Sequence, residues 1–169
     1  MIMETILNKY AIKQIGYVAE DAEAFARAHS ALFGSGPYLT MGPMTMKDVN
    51  YRGKIMDVTK KLLFGHFGNL QVEITQVTSE NNPYAEMPGG KGFHHFSIWA
   101  DDYDAAVKEF ADAGCEVAFS FTSGSGMRVA FIDCLDLLGH YIEMHAPQEA
   151  FWDMIQENAL EWDGKEVFS

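Results

Sequence analysis

Hydrophobic positions along the chain recur in two rhythms: alternate-residue runs that predict strands, and three-to-four-residue runs that predict helices. Residues 14–33, QIGYVAEDAEAFARAHSALF, align without gaps with residues 95–114, HFSIWADDYDAAVKEFADAG, at an offset of 81 (95 − 14). In each copy a β-rich run ends at Ala19 or Ala100, and an acidic pair follows, Glu20-Asp21 or Asp101-Asp102. An alanine-rich amphipathic segment comes next. Asp21 and Asp102 stand where a side-chain oxygen takes up the free amides of a first helical turn, and Gly34 and Gly114 stand near the helix stops. After the first helix the pattern predicts strands over Pro37–Met46, Met56–Phe64 and Leu70–Thr78. After the second it predicts Glu116–Phe121, Met127–Asp133 and His140–His145, with Ser123-Gly124-Ser125-Gly126 as a hairpin turn. Each half therefore reads β-α-β-β-β, and the fold class is α+β. Module 1 covers about 10–78, a polar Pro/Gly-rich linker 79–92, and module 2 about 93–146. Beyond Pro147, Phe151, Ile155, Ala159 and Trp162 recur at helical spacing and predict a C-terminal helix over 148–162. Its apolar face is expected to pack on the sheet or on a second subunit. The whole, 1–169, reads as one domain.

Alternate residues of a strand share a face, so the repeat also sorts the polar side chains. Gln14 shares its side with Ile12, Gly16 and Val18, while Glu73 lies with Gln71 and Thr75. His95 lies with Phe93, Ser97 and Trp99, and Glu143 with Tyr141 and His145. Leu70, Val72, Ile74, Ile142 and Met144 take the helix-facing sides. Gln14 and His95 occupy equivalent positions of the repeat, as do Glu73 and Glu143. A buried carboxylate is costly unless it is paired, protonated or bound to a metal. Four oxygen and nitrogen donors in pseudo-twofold array suit one divalent cation with positions left open for water or substrate.

Composition narrows the partners. The 169 residues hold 12 Lys+Arg against 24 Asp+Glu, a net charge of −12, which argues against nucleic acid and anionic membranes. It also makes a polyphosphate ligand such as a CoA ester less comfortable. No apolar run approaches the roughly 20 residues needed to span a bilayer. MIMETILNKY lacks the features of a secretory signal, and the 2 cysteines, Cys115 and Cys134, read as buried thiols of a cytoplasmic protein. The 10 methionines suit adaptable packing around a bulky ligand.

The segments IKQIGYVAED, QVEITQV, GFHHFSIWADD and YIEMHAP resemble the vicinal oxygen chelate superfamily. That superfamily includes glyoxalase I, methylmalonyl-CoA epimerase, extradiol dioxygenases and bleomycin-resistance proteins. The resemblance covers about residues 10–146. It implies paired β-α-β-β-β modules whose curved sheets form a cleft around one metal ion (zinc, nickel, cobalt, manganese or iron). The implied ligands are Gln14, Glu73, His95 and Glu143, with His94 turned to the opposite face. It further implies a homodimer and a small-molecule carbonyl substrate.

The ligand set resembles that of zinc-type glyoxalase I and is close to the epimerase pattern, which has His first and Gln second. Glyoxalase I places an Arg and an Asn, both used on glutathione, where Val18 and Val77 stand here. The extradiol triad needs two histidines, and Gln14 replaces one. The resemblance thus implies a metal-dependent isomerase, epimerase or lyase. A proton next to a carbonyl is taken by Glu143, with Glu73 across from it, while the cation stabilises the enolate. Tyr141, His145, Trp99 and Phe64 are the expected substrate contacts, in a cleft lined by Met41, Met44, Met46, Leu62 and Phe131. The alternative is a non-catalytic binding protein of the drug-sequestering kind, with glyoxalase I or a ring-cleaving dioxygenase below it.

Overall fold

The computed structural model describes residues 5–169; residues 1–4, part of the stretch read as lacking a secretory signal, lie outside the described residues. The elements in chain order are α1 (Ile6–Lys9), β1 (Ile12–Val18), α2 (Ala22–Phe33), β2 (Leu39–Tyr51), β3 (Lys54–Phe67) and β4 (Leu70–Val77). They continue with β5 (Gly92–Trp99), α3 (Tyr103–Asp112), β6 (Val117–Thr122), β7 (Arg128–Cys134), α4 (Leu135–Leu138), β8 (His140–His145) and α5 (Glu149–Glu161). Both predicted caps form: the Asp21 and Asp102 carboxylates accept from Ala24 N and Ala105 N, each at 3.0 Å. Gly34 ends α2 in the left-handed conformation (φ 68°) that glycine adopts at little cost.

The eight strands close into one barrel in the order β1-β4-β3-β2-β6-β7-β8-β5. Each module contributes four neighbouring strands, and the modules join through β1–β5 and β2–β6. The expected curved sheets are thus continuous around the barrel. Val72 and Ile74 turn outward onto Ala22 and Ala26 of α2, and Ile142 and Met144 onto Ala106 and Phe110 of α3. The other strand faces point inward. One end of the interior is filled by Tyr84, Phe119, Phe131 and Tyr141. Phe119 and Phe131 stack there at 4.2 Å.

Two parts depart from expectation, and the tail helix resolves a choice left open. The β2–β3 hairpin runs five residues further along β2 than Met46, to Tyr51, and its tip turns through Arg52 and Gly53, both at positive φ (47° and 83°). Its polar residues belong to a largely exposed ribbon, and only near its end does it pair with β6 and close the barrel. The linker contains a 3-10 turn, Pro83–Glu86, that plugs Tyr84 into the core. The tail helix packs on the sheet, one of its two expected partners: Ile155 is buried against Leu62 and Phe64, and Phe151 meets Phe64 edge-on at 5.0 Å. Residues beyond it return to the segment just before β2, where Tyr38 N donates to Val167 O. Cys134 is buried and Cys115 half-buried, both as free thiols.

Candidate metal centre

Four consecutive strands of the barrel, β4-β1-β5-β8, carry the four sequence-predicted donors on their inner faces. Glu73 and His95 both pair in register with Gly16, and Glu143 pairs with Ser97. The centre therefore straddles the junction of the two modules. Gly16 makes this approach possible: a Cβ there would lie 2.0 Å from a ring atom of His95.

Gln14, Glu73, His95 and Glu143 are all buried. Ligand atoms of Glu73, His95 and Glu143 lie within 4.8 Å of one another. His95 Nε2 stands 3.5 Å from Glu143 Oε2 and 3.4 Å from Gln14 Oε1. Donors around one ion at bond lengths of about 2.0–2.2 Å stand roughly 3.0–3.5 Å from their neighbours, so these residues fit a small divalent cation. Neighbouring groups set the orientation. Gln14 Nε2 donates to Gln71 Oε1 (2.6 Å), which turns the Gln14 carbonyl toward His95, and Thr75 Oγ1 donates to Glu73 Oε1 (2.8 Å). Burial raises the Glu143 pKa, but His95 beside it, with His145 and Lys60, outweighs burial and takes it down to about 2.

His94 corrects the expectation that it faces away. A bulge in β5 lets Gly16 pair with His95 and the next residue, Tyr17, pair with Phe93, so His94 is the extra residue. Consecutive histidines then both turn inward, while Phe93 packs on Tyr17, Phe96 and His140 instead of sharing the His95 face. His94 Nδ1 lies 2.9 Å from His95 Nδ1. Burial, and then the neighbouring His95, hold the His94 pKa well below its ordinary value, so its ring is neutral. A neutral His94 accepting from His95 Nδ1–H leaves the His95 Nε2 lone pair free for a metal.

An apolar cavity of about 450 Å³ opens beside this centre. Gln14, Glu73 and Glu143 reach it, as do the expected contacts His145, Trp99 and Phe64 and the methionines Met41, Met44 and Met46. Tyr141 does not line it. That ring points to the filled end of the barrel, where its hydroxyl donates to Glu86 Oε2 (3.2 Å). Phe131, in the stacked core, is likewise away from the wall. His145 is fixed between the Ala146 carbonyl (2.6 Å from Nδ1) and Ser97 Oγ (3.2 Å from Nε2).

Two features of the wall lie outside the sequence expectations. Phe151 and Trp152 of α5 roof the cavity, and Trp152 Nε1 donates to Lys13 O at 3.3 Å. Lys60 is 4% exposed and lines the wall, donating to Tyr84 Oη at 2.8 Å. Burial lowers the Lys60 pKa, but Tyr84, Glu73 and Glu143 outweigh it and hold it above the usual lysine value. Alternation could have found this lysine, because Lys60 shares a strand face with Leu62 and Phe64.

The family model described as Glyoxalase/Bleomycin resistance protein/Dioxygenase superfamily matches residues 13–131, and the chain belongs to that superfamily. The matched stretch holds Gln14, Glu73 and His95. The fold is similar to that of a hypothetical protein from Bacillus halodurans C-125 (19% identity, 83% of this chain and 96% of that one, TM-score 0.58). It is also similar to methylmalonyl-CoA epimerase from Mycobacterium tuberculosis (14% identity, 89% and 95% covered, TM-score 0.55). A variant of the Streptomyces coelicolor methylmalonyl-CoA epimerase in complex with 2-nitronate-propionyl-CoA gives 20% identity, 80% and 95% coverage and a TM-score of 0.51. At these identities the likeness establishes the fold. No curated protein matches the chain.

Proposed function

We propose that the protein is a metal-dependent isomerase, epimerase or lyase that moves a proton at the carbon next to a carbonyl of a bulky, apolar substrate. The observation that carries this reading is the convergence of buried Glu73, His95 and Glu143 within 4.8 Å at the edge of an apolar cavity. Gln14, Glu73, His95 and Glu143 would hold a divalent cation (zinc, nickel, cobalt, manganese or iron). When bound, the cation supplies Lewis-acid polarisation of the carbonyl. Each glutamate has two oxygens, so one can ligate while the other faces the cavity. Glu143, a carboxylate that must be ionised to ligate, removes the proton as general base. Glu73 stands on the other outer strand of the four-strand run, positioned to return a proton to the opposite face of the same carbon. His145, Trp99 and Phe64 position the substrate, and the methionine wall adapts to its bulk.

A sequestering protein is the second reading. The cavity alone would serve it, yet sequestration gives no reason to bury two carboxylates beside a histidine. A CoA-bearing ligand, such as the 2-nitronate-propionyl-CoA in complex with the Streptomyces coelicolor epimerase variant, fits less well with a chain of net charge −12.

One chain supplies all four donors, so the homodimer implied by the resemblance would be a packing of complete sites; sedimentation analysis tests it. No helix among the described residues is long and apolar enough to cross a membrane. The two free thiols suit a cytoplasmic setting.

The test is solvent-deuterium exchange, followed by NMR, over a panel of carbonyl compounds with metal-loaded protein. Exchange of an α-proton with wild type and its loss in Glu143→Gln is expected. Compounds that bind but never exchange would leave the sequestering reading in its place.

A further inference from the structure

Lys13 and Lys60 both line the cavity, but Lys13 is half-buried beside the Trp99 and Trp152 rings, whereas Lys60 is buried, and the proposed reaction gives it no role. Its ammonium has three N–H donors. One goes to Tyr84 Oη at 2.8 Å, and among the described residues the ammonium makes no ion pair. Tyr84 is itself buried, and burial pushes its pKa up to about 12, so the hydroxyl stays neutral and does not cancel the charge. A buried ammonium with spare donors and no countercharge within contact is unfavourable.

The carboxylates of Glu73 and Glu143 compensate Lys60 only while no cation is bound. Both must be ionised to ligate a metal. A divalent ion then cancels their two charges and leaves the positive charge of Lys60 uncompensated in a wall of Met44, Leu62, Phe64 and Phe121. The aromatic faces near it, Tyr84 and Phe121, each with a centroid 5.2 Å from Nζ, soften this cost but supply no formal charge.

We infer that Lys60 is the anion receptor of the cavity and that the substrate is an apolar carbonyl compound carrying one carboxylate. The inference rests on the metal-site reading above and adds to it the charge of the ligand. It also accounts for the apolar wall. The body of the ligand is buried among methionines and aromatic rings, its carbonyl lies toward the glutamates, and its carboxylate takes the free donors of Lys60. Without the cation, Glu73 and Glu143 repel the same carboxylate, so acid binding requires both the metal and Lys60.

The test compares phenylpyruvate and hydrocinnamate with their methyl esters by isothermal titration calorimetry, on zinc-loaded wild type, Lys60→Met and Lys60→Gln. Zinc content is measured separately for each protein, and near-ultraviolet circular dichroism verifies packing. Wild type is expected to bind an acid more tightly than its ester by on the order of 10- to 100-fold, the range for a charge-assisted hydrogen bond. Both Lys60 variants should retain zinc and lose that preference. If one variant does not fold, the other and the wild-type acid-to-ester ratio still decide. The inference is overturned if the acids bind no better than the esters or do not bind at millimolar concentration. It is also overturned if a folded Lys60 variant keeps the preference. Failure of the metal-site reading has a different signature: wild type takes up no zinc, whatever the ratio of acid to ester.

Discussion

Replacing Gly16 with alanine should abolish the metal centre while leaving the barrel folded. Gly16 faces inward between Gln14 and Val18, and its φ lies outside the left-handed region, so the backbone accepts alanine. The obstacle is the His95 ring. A Cβ at position 16 would sit 2.0 Å from Cε1, 2.2 Å from Nε2 and 2.4 Å from Nδ1 of His95. Ordinary contact begins near 3.4 Å, so the ring must retreat by about 1.4 Å. Metal–ligand distances tolerate only about 0.2 Å, so His95 ceases to ligate. Overpacking should cost about 1–3 kcal/mol of stability. Loss of a ligand should weaken zinc binding by at least the roughly 100-fold upper end seen for supporting partners.

Gly65→Ala is the matched control. Its Cβ would meet the Tyr38 ring at 2.8 Å, away from the donors. Competition titration with a chelating dye reads affinity, and thermal melting reads stability. Gly65→Ala should lose stability and keep zinc. Wild-type zinc affinity in Gly16→Ala, or equal loss of zinc in both variants, would show that the His95 ring is not held as a ligand over Gly16.

The remaining predictions concern the support of the centre and its surroundings. His94→Phe should keep the aromatic packing around Tyr84, Phe131 and Tyr141 but remove the acceptor for His95 Nδ1–H. Zinc affinity should fall by about 10- to 100-fold, and an unchanged dye-competition curve would contradict this. Burial pushes Tyr38 and Tyr84 up to about 12. A raised folded pKa contributes stability in full below the unfolded value and loses it as pH climbs through the folded one. Each tyrosine should therefore contribute on the order of 3 kcal/mol below roughly pH 10, lost progressively as pH climbs through about 12. Tyrosinate absorbance followed together with unfolding checks this, and ionisation of both rings near pH 10 in folded protein would count against it.

The repeat and strand alternation were enough to place Gln14, Glu73 and Glu143, because a two-residue period carries facing from one inward residue to the next. The same rule misjudged Phe93 and His94. A bulge adds one residue and inverts facing locally, and nothing in GFHHFS marks it before the partner strand is known. Tyr141 was assigned the correct face but the wrong depth. A strand face runs the length of the barrel, and sequence does not tell which end is filled. The α2 and α3 caps were legible because Asp21 and Asp102 act within one helical turn. The extent of the β2–β3 hairpin was not, because Lys47, Asp48 and Asn50 look like a turn until the long exposed ribbon explains them. Alternation puts Lys60 on the inner face, but a Lys-Lys pair in a strand suggests two solvated charges. Only Lys61 fits that description, as it pairs with Glu23 at the surface.

One chain should hold one divalent cation through Gln14, Glu73, His95 and Glu143. Metal analysis of protein purified without chelator reads this, with Glu143→Ala prepared in parallel. About one divalent ion per wild-type chain is expected, and none in the variant. Wild type that takes up no ion after exposure to zinc, nickel, cobalt, manganese and iron would contradict it, as would a Glu143→Ala chain that retains the ion.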